Sequence, residues 1–363
     1  MAPIRVGLIG ANVRAGWGGT VHARVIQGLP GLELTAVATA HRETAEESAA
    51  HFGARLAFDD YHALAAHPDI DLVSIAVRVP YHFEMAKAAL EAGKHVFCEW
   101  PLAATLAQAE ELAALAKSRG VRHMVGLQNR ADPVHQEARR LIEDGYIGDP
   151  MMTRLTSIAG GGLVRELRRT YQVDPSLGAH LRSITAGHAL DSFRYDLGRA
   201  LTEVSAQVRT QIPQWHVPET GESMTTASPD NVIVAGTFDG GATAAVTVAS
   251  VPYLGAGSAF EYYGPAGTIV ISAERGGLVL RGGQGAGSTL EALPVEDREP
   301  VPEDLQRGPT ANVARLFQRL ATSIEAGAGA ASVEPDFDTA VSLHRLLAAI
   351  EASSASGTRA TVA

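Results

Sequence analysis

The feature that most constrains this chain is a change of period along it. From residue 4 to 126, short apolar runs rich in β-branched residues alternate with stretches of helical spacing. The runs are IRVGLIG (4–10), LELTAVA (32–38), DLVSIAV (71–77), HVFC (95–98) and RHMVG (122–126); the helical stretches cover 20–28, 43–52, 81–92 and 105–119. Continuous apolar runs are strands buried on both faces, and strands separated by helices build a parallel sheet with right-handed crossovers. The last helix carries its own punctuation: Thr105 and Gln108 as a capping box, Lys117 and Arg119 in the last turn, Gly120 at the end.

After Asp132-Pro133 the grammar changes. A helix (134–144) and a strand (151–158) lead to a Gly/Arg-rich loop (160–175) and a long helix (177–198). Strands follow at 202–212, 231–238, 242–250, 259–263, 268–272 and 278–281, several joined by tight-turn signals such as Asp239-Gly240-Gly241. This reads as an antiparallel meander. Helices at 310–326 and 336–352 come last, and the small, polar residues from Ser353 are expected to fray. A length of 363 residues exceeds one ordinary core, so two domains are expected.

Charge and cysteine usage narrow the function classes. A net charge of −10 argues against nucleic acid as the main partner, because phosphate backbones need a basic face. Cys98 is the single cysteine, so no intramolecular disulfide forms, and no zinc-like spacing is present. No apolar run is long enough to span a bilayer, and the first residues lack a secretory leader's pattern. A cytoplasmic protein with neither metal nor membrane partner is expected.

The first strand runs into GANVRAGWGGTVH (10–22) and then a helix, which is where a nucleotide phosphate binds such a sheet. Gly10 keeps the first position of the usual glycine pattern, Asn12 takes the second, and the rest is stretched around Gly16, Trp17, Gly18 and Gly19. The second strand ends in VATAHRE (37–43) without the acid that takes the ribose hydroxyls of NAD. Thr39, His41 and Arg42 stand there instead and suit a 2′-phosphate better, so the reading is NAD or NADP, tilted toward NADP.

With these pieces in place the chain resembles the GFO/IDH/MocA family of NAD(P)-dependent oxidoreductases. The carriers are VGLIG (6–10), DLVSIAVRVPYHFEMAKAALEAGKHVFCEWPLA (71–103), VGLQNRADP (125–133) and GHALD (187–191). The resemblance implies an α/β fold: a Rossmann dinucleotide-binding domain over 1–128, then an α+β domain over 129–363. The second domain would carry an open-faced, mainly antiparallel β-sheet, serve substrate binding and oligomerisation, and form a homodimer or homotetramer through that sheet. Glu99-Trp100-Pro101 stands where the family reads Glu-Lys-Pro. This and the stretched loop are similar to the subgroup around the yeast galactose-pathway repressor, which binds dinucleotide but regulates transcription.

The resemblance also implies roles. Val79, Pro80 and His82 lie beside the cofactor ribose, Glu99 near the nicotinamide ribose, and Pro101 holds the turn that aims Trp100 into the cleft, with Gln128 also on the cofactor. His188 matches the active-site histidine and Asp191 the acid after it, while Ile184 replaces the usual aspartate before it.

Hydride transfer from a carbinol needs a base for the hydroxyl proton, and an indole N–H only donates. His188 is the leading candidate for acid/base work. His180, read on the same helix face, and Tyr171 in the loop before it are further candidates. Trp100 suits stacking on a sugar ring or nicotinamide, and equally a wall position. Arg165, Arg168 and Arg169 in the loop, with Arg182 on the helix that follows, point to an anionic substrate if turned inward, and otherwise are a solvated charged loop; Arg130 is a further substrate contact. Three functions remain. The first is an oxidoreductase acting on a sugar, cyclitol or derivative. The others are a glycoside hydrolase using transient oxidation, elimination, addition and reduction, and a catalytically silent dinucleotide-binding regulator.

Overall fold

The computed structural model describes residues 2–13, 16–327 and 332–362. Its contacts divide the chain into two units, residues 1–131 with 299–342, and residues 132–298 with 343–363.

In the first unit the elements run β1 (Ile4–Ile9), α1 (Ala23–Gly28), β2 (Leu32–Ala38), α2 (Arg42–Phe52), β3 (Leu56–Phe58), α3 (Tyr61–Ala66), β4 (Leu72–Ile75), α4 (His82–Glu91), β5 (His95–Glu99), α5 (Leu106–Arg119) and β6 (His123–Gly126). The sheet is parallel throughout, in the order β3-β2-β1-β4-β5-β6. The order reverses between β1 and β4, the switch point where open α/β sheets bind ligands. The apolar runs became strands because crossover helices cover both faces; all four residues of β4 are buried. The three-residue β3 and the short α3, capped by Asp60, lie in a segment the periodicity left unassigned. The cap of α5 is half the expected box: Thr105 accepts from the Gln108 N–H at 3.3 Å, and the Gln108 side-chain oxygen has no partner.

The second unit opens with α6 (Pro133–Glu143), β7 (Met152–Ala159), α7 (Thr185–Leu197), β8 (Leu201–Arg209), β9 (Gln214–Val217) and β10 (Glu222–Thr225). It continues with β11 (Asn231–Phe238), β12 (Thr243–Ser250), β13 (Gly257–Tyr263), β14 (Gly267–Glu274), β15 (Gly277–Gln284) and β16 (Glu291–Ala292). Next come α8 (Thr310–Glu325), which packs in the first unit, α9 (Phe337–Ser356) and β17 (Ala360–Thr361). The large sheet is ordered β16-β15-β14-β13-β7-β12-β11-β8-β17. It is mainly antiparallel but not the simple meander expected: β7 inserts between β13 and β12 and pairs parallel to β12. Helices α6 and α7 cover one face, and Met152 and Ile233 lie exposed on the other.

Three further expectations are corrected. Residues 299–342, expected with the second domain, belong to the first unit's core: Phe317 on α8 stacks on Phe97 of β5 with centroids 4.5 Å apart. The helix read at 177–198 begins only at Thr185. A 3-10 turn over Pro175–Leu177 ends at Gly178, and the Ser183 hydroxyl donates to the Gly178 carbonyl at 2.6 Å, fixing a turn instead. The tail does not fray. Ser353 and Ser354 accept from the backbone N–H groups of Ala206 and Val208, and β17 pairs with β8.

Candidate dinucleotide cradle and active-site helix

The backbone after β1 is packed too closely for side chains. Gly10 has φ +96°, and a Cβ there would fall 2.5 Å from the Ala76 carbonyl oxygen. A Cβ on Gly18 would fall 2.4 Å from the Gly10 carbonyl, and one on Gly19 2.3 Å from that of Asn12. The helix thus starts against the loop itself, as a π turn over Gly18–His22 that continues into α1. Gly16 and Trp17 are exposed, Asn12 half-buried, and Arg14 and Ala15 lie outside the described residues. A glycine cradle at a helix start, on the C-terminal edge of a parallel sheet, fits a dinucleotide pyrophosphate.

At the end of β2 the Thr39 hydroxyl bonds to Thr44 at 2.6 Å and donates to the His41 carbonyl. His41 and Arg42 are exposed, and Arg42 pairs with Glu46 and donates to the Ala57 carbonyl.

Glu99 ends β5 at the same sheet edge. Its Oε1 lies 2.7 Å from His22 Nε2, and its Oε2 accepts from the Gln128 side-chain amide at 2.7 Å. Opposite it on β6, Gly126 leaves the room the carboxylate occupies: a Cβ there would be 2.5 Å from Oε2. The other His22 nitrogen lies 2.8 Å from the Ser74 hydroxyl of β4. His22, Ser74 and Gly126 were not singled out in the sequence. Their only signal was a histidine just inside the helix that follows the glycine loop.

Val79 and Pro80 form a short turn before α4. His82 was expected on a ribose but is fully engaged by the protein. Its ring nitrogens lie 2.7 Å from the Pro101 carbonyl and 3.1 Å from that of Val77, and the residue is 1 % exposed. Burial pulls its pKa down, against the two carbonyls. It ties the loop after β4 to the turn after β5. Trp100 and Pro101 are buried. Arg130 turns to Glu334 at 2.8 Å.

In the second unit, α7 carries His188, half-buried in its second turn, and Asp191, buried. His180 lies not on this helix but in the turn before it, where its Nδ1 accepts from the Ser183 N–H at 3.2 Å. Burial, with the charge of Arg182, lowers its pKa to about 4, so it is neutral near pH 7. Arg182 also precedes the helix and pairs with Glu351. Tyr171 lies in the 3-10 stretch Leu167–Val173. Arg168 and Arg169 are exposed beside Glu166, at 2.6 and 3.7 Å, as a solvated loop has them. Arg165 instead lies over the Trp215 ring, 4.5 Å from its centroid. A buried set the sequence did not flag anchors α7: His135 of α6, Asp196 of α7 and Tyr262 of β13.

The first unit is therefore a dinucleotide-binding Rossmann domain joined to an α+β unit. Residues 4–127 match the oxidoreductase family described by its NAD-binding Rossmann fold, and residues 133–281 match the Gal80p C-terminal domain. The chain thus joins a Rossmann domain of the GFO/IDH/MocA oxidoreductase type to a Gal80p-like C-terminal domain.

Dehydrogenase aclE of Aspergillus oryzae is 37% identical over 172 residues, 47% of this chain and 47% of that protein. The galactose/lactose metabolism regulatory protein GAL80 of Saccharomyces cerevisiae is 30% identical over 258 residues, 65% of this chain and 58% of that protein. The chain thus spans about half the length of the curated relatives it matches. A levoglucosan dehydrogenase solved with NADH and levoglucosan superposes with a TM-score of 0.86 at 25% identity, covering 99% of each chain. Among the described residues no helix is long and apolar enough to cross a membrane, and no group of three or more His, Cys, Asp and Glu side chains could hold a metal ion.

Proposed function

We propose that the protein is an NAD(P)-dependent oxidoreductase acting on a sugar, a cyclitol or a derivative of one. The observation that carries this is the pairing of the glycine cradle with a fixed carboxylate, Glu99, on one edge of the parallel sheet. Gly10, Asn12, Gly16, Trp17 and Gly18 would hold the pyrophosphate, and Glu99 the nicotinamide-side ribose. A nicotinamide, when bound, supplies the hydride acceptor or donor. His188 takes the hydroxyl proton or returns it, since Trp100 has only a donor. Asp191 acts with it on the substrate. The family supports NAD, and the absence of an acid among Thr39, His41 and Arg42 supports NADP as well. The substrate is a small carbohydrate, with Arg165 the arginine best placed to read an anionic group. The exposed sheet face with Met152 and Ile233 supports association of copies.

Two observations favour a second reading, a dinucleotide-binding regulator: Trp100 stands where the family has its lysine, and the relatives include GAL80. The deciding experiment incubates the protein with NAD(P)+ and a panel of sugars and glycosides, following nicotinamide absorbance and sugar products together. Reduced cofactor in step with oxidised sugar supports the dehydrogenase. Aglycone release that requires NAD+ without net NADH identifies redox-assisted hydrolysis. Cofactor binding without turnover across the panel favours the regulator.

A further inference from the structure

His22 lies on the helix that opens behind the glycine cradle, yet its ring contacts the other half of the sheet. Its Nε2 is 2.7 Å from Glu99 on β5 and its Nδ1 2.8 Å from Ser74 on β4. The ring is fully buried, edge-on to Phe97 and Phe317 at 5.3 and 5.5 Å. The order Ser74–His22–Glu99 matches that of a hydrolytic triad. Ser74 and His22 are both 0 % exposed, however, so no substrate reaches the hydroxyl. A neutral imidazole satisfies both neighbours in one tautomer, donating from Nε2 to Glu99 and accepting at Nδ1 from Ser74.

The Glu99 carboxylate has about four lone-pair directions, of which His22 and Gln128 fill two. The other two can accept hydroxyl protons, and Glu99 keeps part of its surface exposed. The π turn that carries His22 begins at Gly18, whose backbone closes on the glycine loop. One rigid connection therefore runs from the loop that would hold the pyrophosphate to the carboxylate at the nicotinamide side.

We infer that His22 is a positioning residue. It sets the Glu99 carboxylate for the vicinal hydroxyls of the nicotinamide-side ribose, so that the helix following the glycine loop, and not only β5, determines affinity for that half of the dinucleotide. This rests on the cofactor reading above. It separates the two halves of the ligand: ADP engages the cradle without needing Glu99, and NADH needs both.

The test measures dissociation constants of NADH and of ADP for the full chain and for H22F, H22Q and S74A, with thermal melting as a check on folding. H22F places an apolar ring against the edges of the stacked Phe97–Phe317 pair and removes both hydrogen bonds. It should weaken NADH about tenfold or more while leaving ADP within about twofold. H22Q returns a donor to Glu99 and should recover much of the NADH affinity. S74A, which removes a single oxygen, should show a smaller loss for NADH with ADP unchanged, and carries the test if H22F does not fold. Equal losses for NADH and ADP, wild-type NADH affinity in both H22F and S74A, or no recovery in H22Q would each overturn the role of His22. If the wild type binds ADP but not NADH, or neither, the cofactor reading itself fails and the inference falls with it.

Discussion

His135 Nδ1 lies 2.9 Å from both carboxylate oxygens of Asp196, and neither side chain reaches solvent. The Tyr262 hydroxyl donates to Asp196 at 2.7 Å, so α6, α7 and β13 meet at one carboxylate. Burial pulls the His135 pKa down, but the charge and hydrogen bond of Asp196 more than offset it, and the net direction is up. Burial raises the Asp196 pKa as well, against the charge and hydrogen bond of His135. Asp196 is the penultimate residue of α7, so this contact fixes the C-terminal turn of that helix to α6.

A pH dependence of stability follows. A raised histidine pKa means the folded state holds its proton more tightly than the unfolded state does. The stabilisation is fully present below the unfolded value of about 6.5 and is lost as pH rises through the higher folded value. In urea unfolding, the stability difference between wild type and H135F should be greatest near pH 6 and shrink on the alkaline side. Near pH 6 it should be about 3–5 kcal/mol, because H135F strands a buried carboxylate. A difference that does not change with pH would mean that His135 is neutral.

Gly126→Ala should act through Glu99. The added methyl would stand 2.5 Å from Oε2 and 2.7 Å from Cδ, and the carboxylate cannot swing away without leaving His22 and Gln128. NADH affinity should fall about tenfold or more. A titration giving the wild-type constant would show that the carboxylate's position does not matter to binding.

Arg42→Ala tests the reading of the β2 end. Arg42 and Glu46 are both exposed, and a surface pair of this kind contributes little to stability. Melting should therefore hardly change. NADP affinity should drop several-fold more than NAD affinity, because only NADP carries the 2′-phosphate that a guanidinium binds. Equal effects on the two cofactors would remove Arg42 from phosphate recognition.

Much of the first unit was legible because its strands are buried on both faces, which leaves continuous apolar runs such as IRVGLI and LVSI. The glycine loop and Glu99 were legible as motifs. What joins them was not: His22 meets Glu99 across 77 residues of chain and Ser74 across 52, and periodicity carries no such contact. The same holds for Phe317, whose helix reads as one more amphipathic segment but closes the first unit's core. His180 was misplaced because the apolar and small residues around it continue the helical spacing of α7. A hydroxyl–carbonyl bond from Ser183 to Gly178 decides against it. The insertion of β7 was hidden for a different reason: a strand's sequence sets its faces, not its neighbours.

His188→Ala bears most directly on catalysis. The histidine stands half-buried on α7, the helix that His135, Asp196 and Tyr262 anchor, so its backbone position survives the change. Neither Trp100, a donor only, nor His180, neutral with a pKa of about 4 and its Nδ1 engaged by Ser183, offers a base poised near neutrality. Loss of a general acid/base costs about 10²–10⁴-fold in rate. The expected outcome is turnover reduced by at least that range on whichever sugar the panel identifies. NADH affinity should stay near the wild-type value, because the cradle and Glu99 belong to the first unit. Full activity in H188A would remove His188 from the reaction and leave Tyr171 as the next side chain to replace. A parallel loss of NADH affinity would mean instead that the histidine serves the cofactor and not the proton.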